Sequence, residues 1–207
     1  GSELSGELVI LCADQLDVAK QQKLAKVIQI VHDSFPNLHL VLDGDSIHNI
    51  EKLLLKDKAH IALFPGYQQT EGLCYQSIYS EPIYLCCSKQ HEFFNQVDTV
   101  ISAEKLAAVP AIHPGIDIDA SGREQLKKLN LSAKAYQFDM RKAMVLSGRY
   151  IGYLPQSYIQ QELNSGDIRI IQPSSLTYQF NLSLVYKKSP REVNKVDLLK
   201  EAFAKAF

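Results

Sequence analysis

The sequence predicts an α/β chain in two lobes. Three observations carry that prediction. Short apolar runs alternate with longer amphipathic stretches over almost the whole length, and the amphipathic stretches have helical spacing. Two long apolar runs, Ile83 to Ser88 and Asn181 to Lys187, bracket the middle third. Alternation of this kind builds βαβ units, parallel strands with helices on their faces. A pair of crossing strands at the brackets lets the middle segment form a second lobe, residues 83–187. The chain then returns to the first lobe, residues 5–82 with 188–207. Residues 1–4 read as a linker or cloning remnant, because Gly1-Ser2 lacks an initiator methionine.

The predicted strands, in order, are Glu7 to Cys12, Leu38 to Leu42, Ala59 to Phe64, Ile83 to Ser88 and Val109 to Ile112. Ala135 to Phe138, Ile151 to Leu154, Ile168 to Ile171 and Asn181 to Lys187 follow. Each is a short apolar run bounded by turn residues or by a helical pattern. After the first strand, Leu24, Val27, Ile28, Val31 and Phe35 make an i, i+3, i+4, i+7 stripe that Pro36 ends. Ser121-Gly-Arg-Glu124 and Ser189-Pro-Arg-Glu192 both fit the capping box, in which serine and glutamate satisfy orphan amides reciprocally. Asp14 and Asp139 each precede a helix and read first as N-caps, each worth about 1 kcal/mol. Gly148 and Gly166 suit positions just past helix ends. Val193, Val196, Leu199 and Phe203 stripe a last helix that docks back on the core.

Composition excludes several classes. With 46% hydrophobic and 22% charged residues among 207, the chain is globular rather than disordered. A net charge of −1 and the lack of any run of lysines or arginines give no electrostatic footprint for nucleic acid or an anionic membrane. No stretch reaches the roughly 18 apolar residues of a membrane span, and the N-terminus does not read as a signal peptide. A cytoplasmic setting is therefore expected.

Four cysteines, Cys12, Cys74, Cys86 and Cys87, fit neither a disulfide framework nor a zinc site, and most lie in apolar runs where a thiol acts as a small hydrophobe. The histidines are scattered without metal-ligand spacing, so no metal or cofactor is expected. Nothing matches GxSxG, a P-loop, GxGxxG after a strand, or HExxH, and the expectation is binding rather than catalysis.

The most specific stretch is Leu146-Ser-Gly148-Arg-Tyr-Ile151-Gly152-Tyr-Leu-Pro155, a helix, a glycine, a short strand and a proline that opens another helix. It resembles the "GxGIGxLP" segment in the effector-binding domain of LysR-type transcriptional regulators. Similar pieces follow that family's order: Gly6-Glu-Leu-Val-Ile, Phe35-Pro36-Asn-Leu-His-Leu, Ile50-Glu-Lys-Leu-Leu, Lys58-Ala-His-Ile-Ala-Leu, Gly72-Leu before Pro82, Lys89-Gln-His91, Leu106 to Ile112, and Ser165-Gly-Asp-Ile. His60 stands where the family usually has an acidic residue, and Glu92 where it usually has proline.

That resemblance implies a periplasmic-binding-protein-like (type 2) fold that senses a small-molecule effector in the interlobe cleft. DNA would be bound only through a helix-turn-helix domain preceding this chain, and the assembly would be a homodimer or homotetramer paired through the outer face of Leu16 to Ser34, with Ile30 a candidate contact. The alternative is a solute-binding protein of a transport system. Helix N-termini present unpaired amides, so the expected ligand-binding residues lie where strands end and helices begin. They are Cys12, Ala13, Asp14 and Gln15; Asp43, in the run to Ser46; Phe64, Pro65 and Gly66; Ile112 and His113, in the run to Gly115; and Asp139. If Asp14 and Asp139 face the ligand, an effector with amine, hydroxyl or amide donors is favoured over a plain carboxylate. His113 reads equally as a ligand contact or a surface-loop histidine.

Overall fold

The computed structural model describes residues 4–115 and 118–207. The expected remnant at 1–4 thus falls almost wholly outside the described residues. The first unit, Gly1–Ser80 with Asn181–Phe207, opens with β1 (Glu7–Cys12), α1 (Val18–Ser34), β2 (His39–Gly44), α2 (Ile47–Leu55) and β3 (Ile61–Pro65), and β4 (Leu73–Ser88) leads out of it. The second unit, Glu81–Phe180, holds α3 (Ala103–Ala108), β5 (Pro110–His113), α4 (Ala120–Leu126), β6 (Asn130–Lys134), α5 (Phe138–Leu146), β7 (Gly152–Pro155), α6 (Gln156–Ser165) and β8 (Ile168–Ile170). β9 (Thr177–Lys187) returns to the first unit, which α7 (Val193–Ala206) completes. The two expected crossing strands are β4 and β9, neighbours in the sheet. Ser80 Oγ donates to Asn181 Oδ1 at 2.6 Å where they leave the first unit.

In the first unit β1 pairs in parallel with β2 on one side and β3 on the other, Glu7 opposite His39 and Ile10 opposite Ile61. β3 then meets β9 antiparallel, Ala62 opposite Val185 through Pro65 opposite Leu182. That pairing places residues 181–187 in the first unit, whereas the sequence reading had assigned 83–187 to the second. The expected stripe on α1 buries Leu24, Val27 and Val31, and α1 packs on α7, which buries Val196, Leu199 and Phe203. Ile50 and Leu54 of α2 close the other face over Leu11, Phe64 and Val185. Each fully buried side chain of this size contributes about 1.5–3 kcal/mol.

In the second unit β4 runs antiparallel to β7 and β8. β5 and β6 form a parallel pair joined to this group by a bridge between Ala111 and Ile151. The corner expected from the sequence is present: α5 ends, Gly148 takes a φ of +75°, β7 follows, and Pro155 precedes α6. Proline offers no side-chain cap, and the Glu81 carboxylate supplies one from β4. Glu81 Oε1 accepts from Ser157 N at 2.8 Å and from Ser157 Oγ at 2.7 Å, satisfying an orphan amide and placing a negative charge at the positive end of α6.

Several local expectations fail for identifiable reasons. The strand expected at Ala135 to Phe138 is displaced to Asn130–Lys134. Residues 135–137 instead turn their carbonyls towards Arg141, and Phe138 starts α5, packing on Tyr158 and Phe180. Asp119 caps α4, its Oδ1 accepting from Gly122 N at 2.9 Å, so Ser121 lies inside the helix. Glu192, not Ser189, is the N-cap of α7. Its carboxylate faces His60 Nε2 at 2.9 Å and Lys195 Nζ at 2.7 Å. Asp17, not Asp14, caps α1, and Gln137, not Asp139, precedes α5. β4 begins ten residues earlier than expected, at Leu73. Pro82 has no N–H for a ladder, and it lies two residues past Ser80, where the strand passes from the first unit to the second.

His60, at the position that departs from the family pattern, takes the Val9 N–H on Nδ1 at 2.9 Å and so directs its Nε2 proton to Glu192. A related anchor is Asp57, whose φ of +57° is tolerated by a short polar side chain. Its carboxylate accepts from Lys187 Nζ at 2.6 Å and from Arg191 N at 2.8 Å, and these bonds hold its pKa below the usual carboxylate value. The folded state therefore releases this proton more readily than the unfolded chain. The stabilisation is complete above about pH 5 and is lost as pH falls through the folded pKa. Asp57→Asn keeps the backbone shape and removes the charge. Its urea midpoint is expected to be lower than the parent's at pH 7, with the gap narrowing on acidification to pH 3; a gap of constant size would refute the assignment.

Candidate functional site

In the first unit the expected ligand-binding residues come together at the ends of three adjacent strands. Cys12 of β1 stands opposite Gly44 of β2 and Leu63 of β3, so residues 12–15, 43–46 and 64–66 leave the sheet side by side. Two backbone bonds lock the strand ends: Ala13 N donates to Leu63 O at 3.1 Å, and Asp45 N to Cys12 O at 3.2 Å. The side chains divide into two groups. Ala13, Phe64 and Pro65 are buried, Phe64 meeting Tyr75 edge to face at 6.1 Å, so these three serve the core. A Cβ on Gly66 would stand 2.9 Å from the Tyr75 ring, so the chain passes too close to Tyr75 for any side chain.

The groups left outward are acidic. Asp14 Oδ1 accepts from Gln15 N, Asp43 Oδ1 from Gly44 N and Asp45 Oδ1 from Ser46 N, all at 2.7–2.8 Å. These carboxylates bond to the next residue's amide and so hold their loops, as short polar side chains do at turns. The helices that follow are capped from within their own loops, α1 by Asp17 and α2 by Ser46. Burial raises the Cys12 thiol to about 11, Cys87 to about 12 and Cys86 higher still. None of these three is a ready thiolate at neutral pH.

Beneath α1 lies a charge that the sequence reading overlooked. Lys20 is 1% exposed, and its Nζ lies 2.5 Å from Asp17 Oδ2 and 4.3 Å from the centre of the Tyr79 ring. The signal was available: Lys20 falls four residues before Leu24, on the same helical stripe as Val27 and Val31, where a charge is out of place unless paired.

In the second unit Ile112 is buried, its Cδ1 close to Gly152, and acts as core. His113 is half-buried, and its Nδ1 takes the Gly115 N–H at 2.9 Å, which leaves the ring proton on Nε2. Asp139 is exposed in the first turn of α5, bonded to Met140 N. The residue that organises this end of the unit is Arg141, 3% exposed, which no sequence pattern singled out. Its guanidinium donates to the carbonyls of Ala135 at 3.1 Å, Tyr136 at 2.8 Å, Tyr153 at 2.9 Å and Pro114 at 3.4 Å, and it lies 5.1 Å from the Phe138 ring. Arg141 thereby ties the loop after His113 to the loop before α5. Among the described residues no group of three or more His, Cys, Asp or Glu side chains is placed to hold a metal ion, and no helix is long and apolar enough to cross a membrane.

Two α/β units threaded by two crossing strands, with strand ends gathered at one edge of the first sheet, define a two-lobed domain of the periplasmic-binding-protein-like kind. The profile of the LysR substrate binding domain matches residues 1–207, and the chain belongs to that family. The HTH-type transcriptional activator BauR of Pseudomonas aeruginosa is 27% identical over 201 residues, 97% of this chain and 66% of that protein, so the chain spans just under two thirds of that relative's length. Among solved structures, the reduced regulatory domain of OxyR2 from Vibrio vulnificus superposes with a TM-score of 0.71 at 16% identity, covering 100% of this chain and 98% of that one. The reduced form of OxyR from N. meningitidis gives 0.70 at 18% identity, covering 98% and 96%. These likenesses concern the fold.

Proposed function

We propose that this chain is the effector-sensing part of a LysR-type transcriptional regulator, binding a small molecule and passing its occupancy to DNA through a helix-turn-helix domain of the longer protein. The observation that carries this reading is the family match over every residue, supported by a relative named as an HTH-type activator. The near-neutral charge agrees with a role in which DNA contact is made elsewhere. Homodimers or homotetramers are the assembly we propose, through the outer face of α1, where Val18 is 70% exposed.

The effector contacts we propose are the strand ends of the first unit at Asp14, Gln15, Asp43 and the Gly66 backbone and, in the second unit taken by itself, His113 at the end of β5. Asp14, Asp43 and Asp45 give the first set a negative field, which favours an effector with amine, hydroxyl or amide donors over a plain dicarboxylate. A thermal-shift screen tests this, since a ligand that binds only the native state stabilises it by RT ln(1 + [L]/Kd), about 2.7 kcal/mol at 100 Kd, and so raises Tm. Donor-bearing metabolites are expected to give the hits, and Asp14→Asn is expected to weaken them about tenfold, the loss of one charged hydrogen bond. Hits confined to dicarboxylates would overturn the chemistry assigned to the site.

A further inference from the structure

The second unit carries a groove of about 570 Å³ walled by Lys89, His91, Glu92, Pro110, Gly148 and Arg149. It lies at the opposite end of β5 from His113: Pro110 starts that strand and His113 ends it, about 10 Å apart at strand rise. A ligand in the groove is therefore not the ligand assigned to His113, and this inference stands independently of the effector site. The volume falls within the usual range for small-molecule pockets, about 300–1,000 Å³.

Two walls of the groove are in close contact. Gly148, at φ +75°, lies so close to the Lys89–His91 turn that a Cβ there would stand 2.8 Å from Gln90 Cβ and 3.1 Å from the Gln90 carbonyl carbon. The corner leading into β7 is thus pressed on the turn that ends β4. His91 is 7% exposed, and its Nδ1 takes the Phe93 N–H at 3.0 Å, leaving Nε2 as the ring donor. Burial holds this histidine below its usual pKa, against the raising influence of Glu92 and with the lowering influence of Arg149, so it stays neutral near pH 7.

The charges in the groove are unequally engaged. Lys89 Nζ is bridged to Asp167 Oδ1 at 2.8 Å. Arg149 is exposed and makes no ion pair or side-chain hydrogen bond among the described residues. The Glu92 carboxylate likewise has no ion-pair partner among them, and both side chains line the same groove, which brings opposite signs to one site. A planar guanidinium free to bind bidentately selects carboxylates, and a carboxylate beside it selects a ligand that also donates.

We propose that this groove is a second small-molecule site, for an amphoteric carboxylate such as an amino acid: Arg149 takes the ligand's carboxylate, and Glu92 takes its ammonium or hydroxyl group.

The test is a ¹H–¹⁵N NMR titration of the chain with L-threonine, L-glutamate and L-arginine, with propionate and propylamine as single-function controls. At least one amino acid is expected to shift the amides of Gln90, His91, Gly148 and Arg149 saturably, more tightly than either control. Arg149→Ala is expected to weaken that binding about tenfold and Glu92→Gln several-fold, each removing one charged hydrogen bond. Both residues are exposed, so both variants are expected to keep the parent Tm. Three results would each overturn the proposal: no saturable shift at these amides up to about 50 mM, a weaker limit than any useful metabolite site; shifts confined to residues outside the groove; or affinity unchanged in Arg149→Ala.

Discussion

Arg141→Ala is expected to lower stability by about 3–5 kcal/mol, the range for removing one partner of a buried charged interaction. The truncation deletes bonds to the carbonyls of Ala135, Tyr136, Tyr153 and Pro114 at once, leaves those acceptors without this donor, and opens a cavity beside Phe138. For a domain of this size each 1 kcal/mol moves Tm by about 2–4 °C, so a drop of about 6–20 °C is expected by calorimetry. Because the same guanidinium holds the Pro114 carbonyl, hydrogen exchange at the amides of His113 and Gly115 is expected to speed up even in Arg141→Lys, which keeps the charge but not the planar fork. A Tm within about 2 °C of the parent in Arg141→Ala would contradict this account.

Gly148→Ala is expected to cost about 2–4 kcal/mol. Two effects add. A residue with a Cβ in the left-handed region is strained by about 1 kcal/mol. The new methyl group must also displace Gln90, whose backbone carbonyl carbon and oxygen stand only 3.1 and 3.2 Å from the Cβ position. Backbone cannot swing aside as a flexible side-chain tip can, so the corner or the turn must shift. Gly166 is an internal control: it has φ +79° but nothing within 4 Å of a Cβ, so Gly166→Ala is expected to cost only the conformational part. Equal losses at the two glycines would show that the close approach to Gln90 contributes nothing.

The residues that sequence reasoning placed well share one property: their signal is periodic or local. The α1 stripe, the glycines after α5 and α6, and the Pro155 junction follow from helical spacing or from backbone conformations that few residues adopt. Strand ends are also local, and residues 12–15, 43–46 and 64–66 lie where β1, β2 and β3 end. That they lie side by side follows once β1, β2 and β3 are parallel neighbours.

The misplaced elements share the opposite property. Ser121 and Ser189 fit a capping pattern, but Asp119 caps the first of those helices and Glu192 occupies the N-cap position of the second; a four-residue pattern cannot say which of several polar residues begins the turn. Ala135 to Phe138 has strand composition, yet the Arg141 guanidinium needs the carbonyls of residues 135 and 136 as acceptors, and Phe138 is taken by an aromatic cluster with Phe180. Composition does not encode an acceptor's distant demand.

The fold class, the order of strands and helices, the corner around Gly148 and the family pattern were all legible in the chain alone, because each depends on residues within about two helical turns of one another or on their order along the chain. Three matters were decided by packing across long sequence separations. The partners of the buried polar groups are one: Lys20 with Tyr79, Arg141 with Pro114, Glu81 with Ser157 and His60 with Glu192. Which of the strand-end residues point outward is another, for Phe64 and Ile112 serve the core while Asp14 and Asp43 do not. The third is the groove beside Arg149, whose walls come from segments some sixty residues apart. Desolvation makes an unpaired buried charge too costly to keep, so each such group finds a partner wherever the fold brings one, and only the folded chain names it.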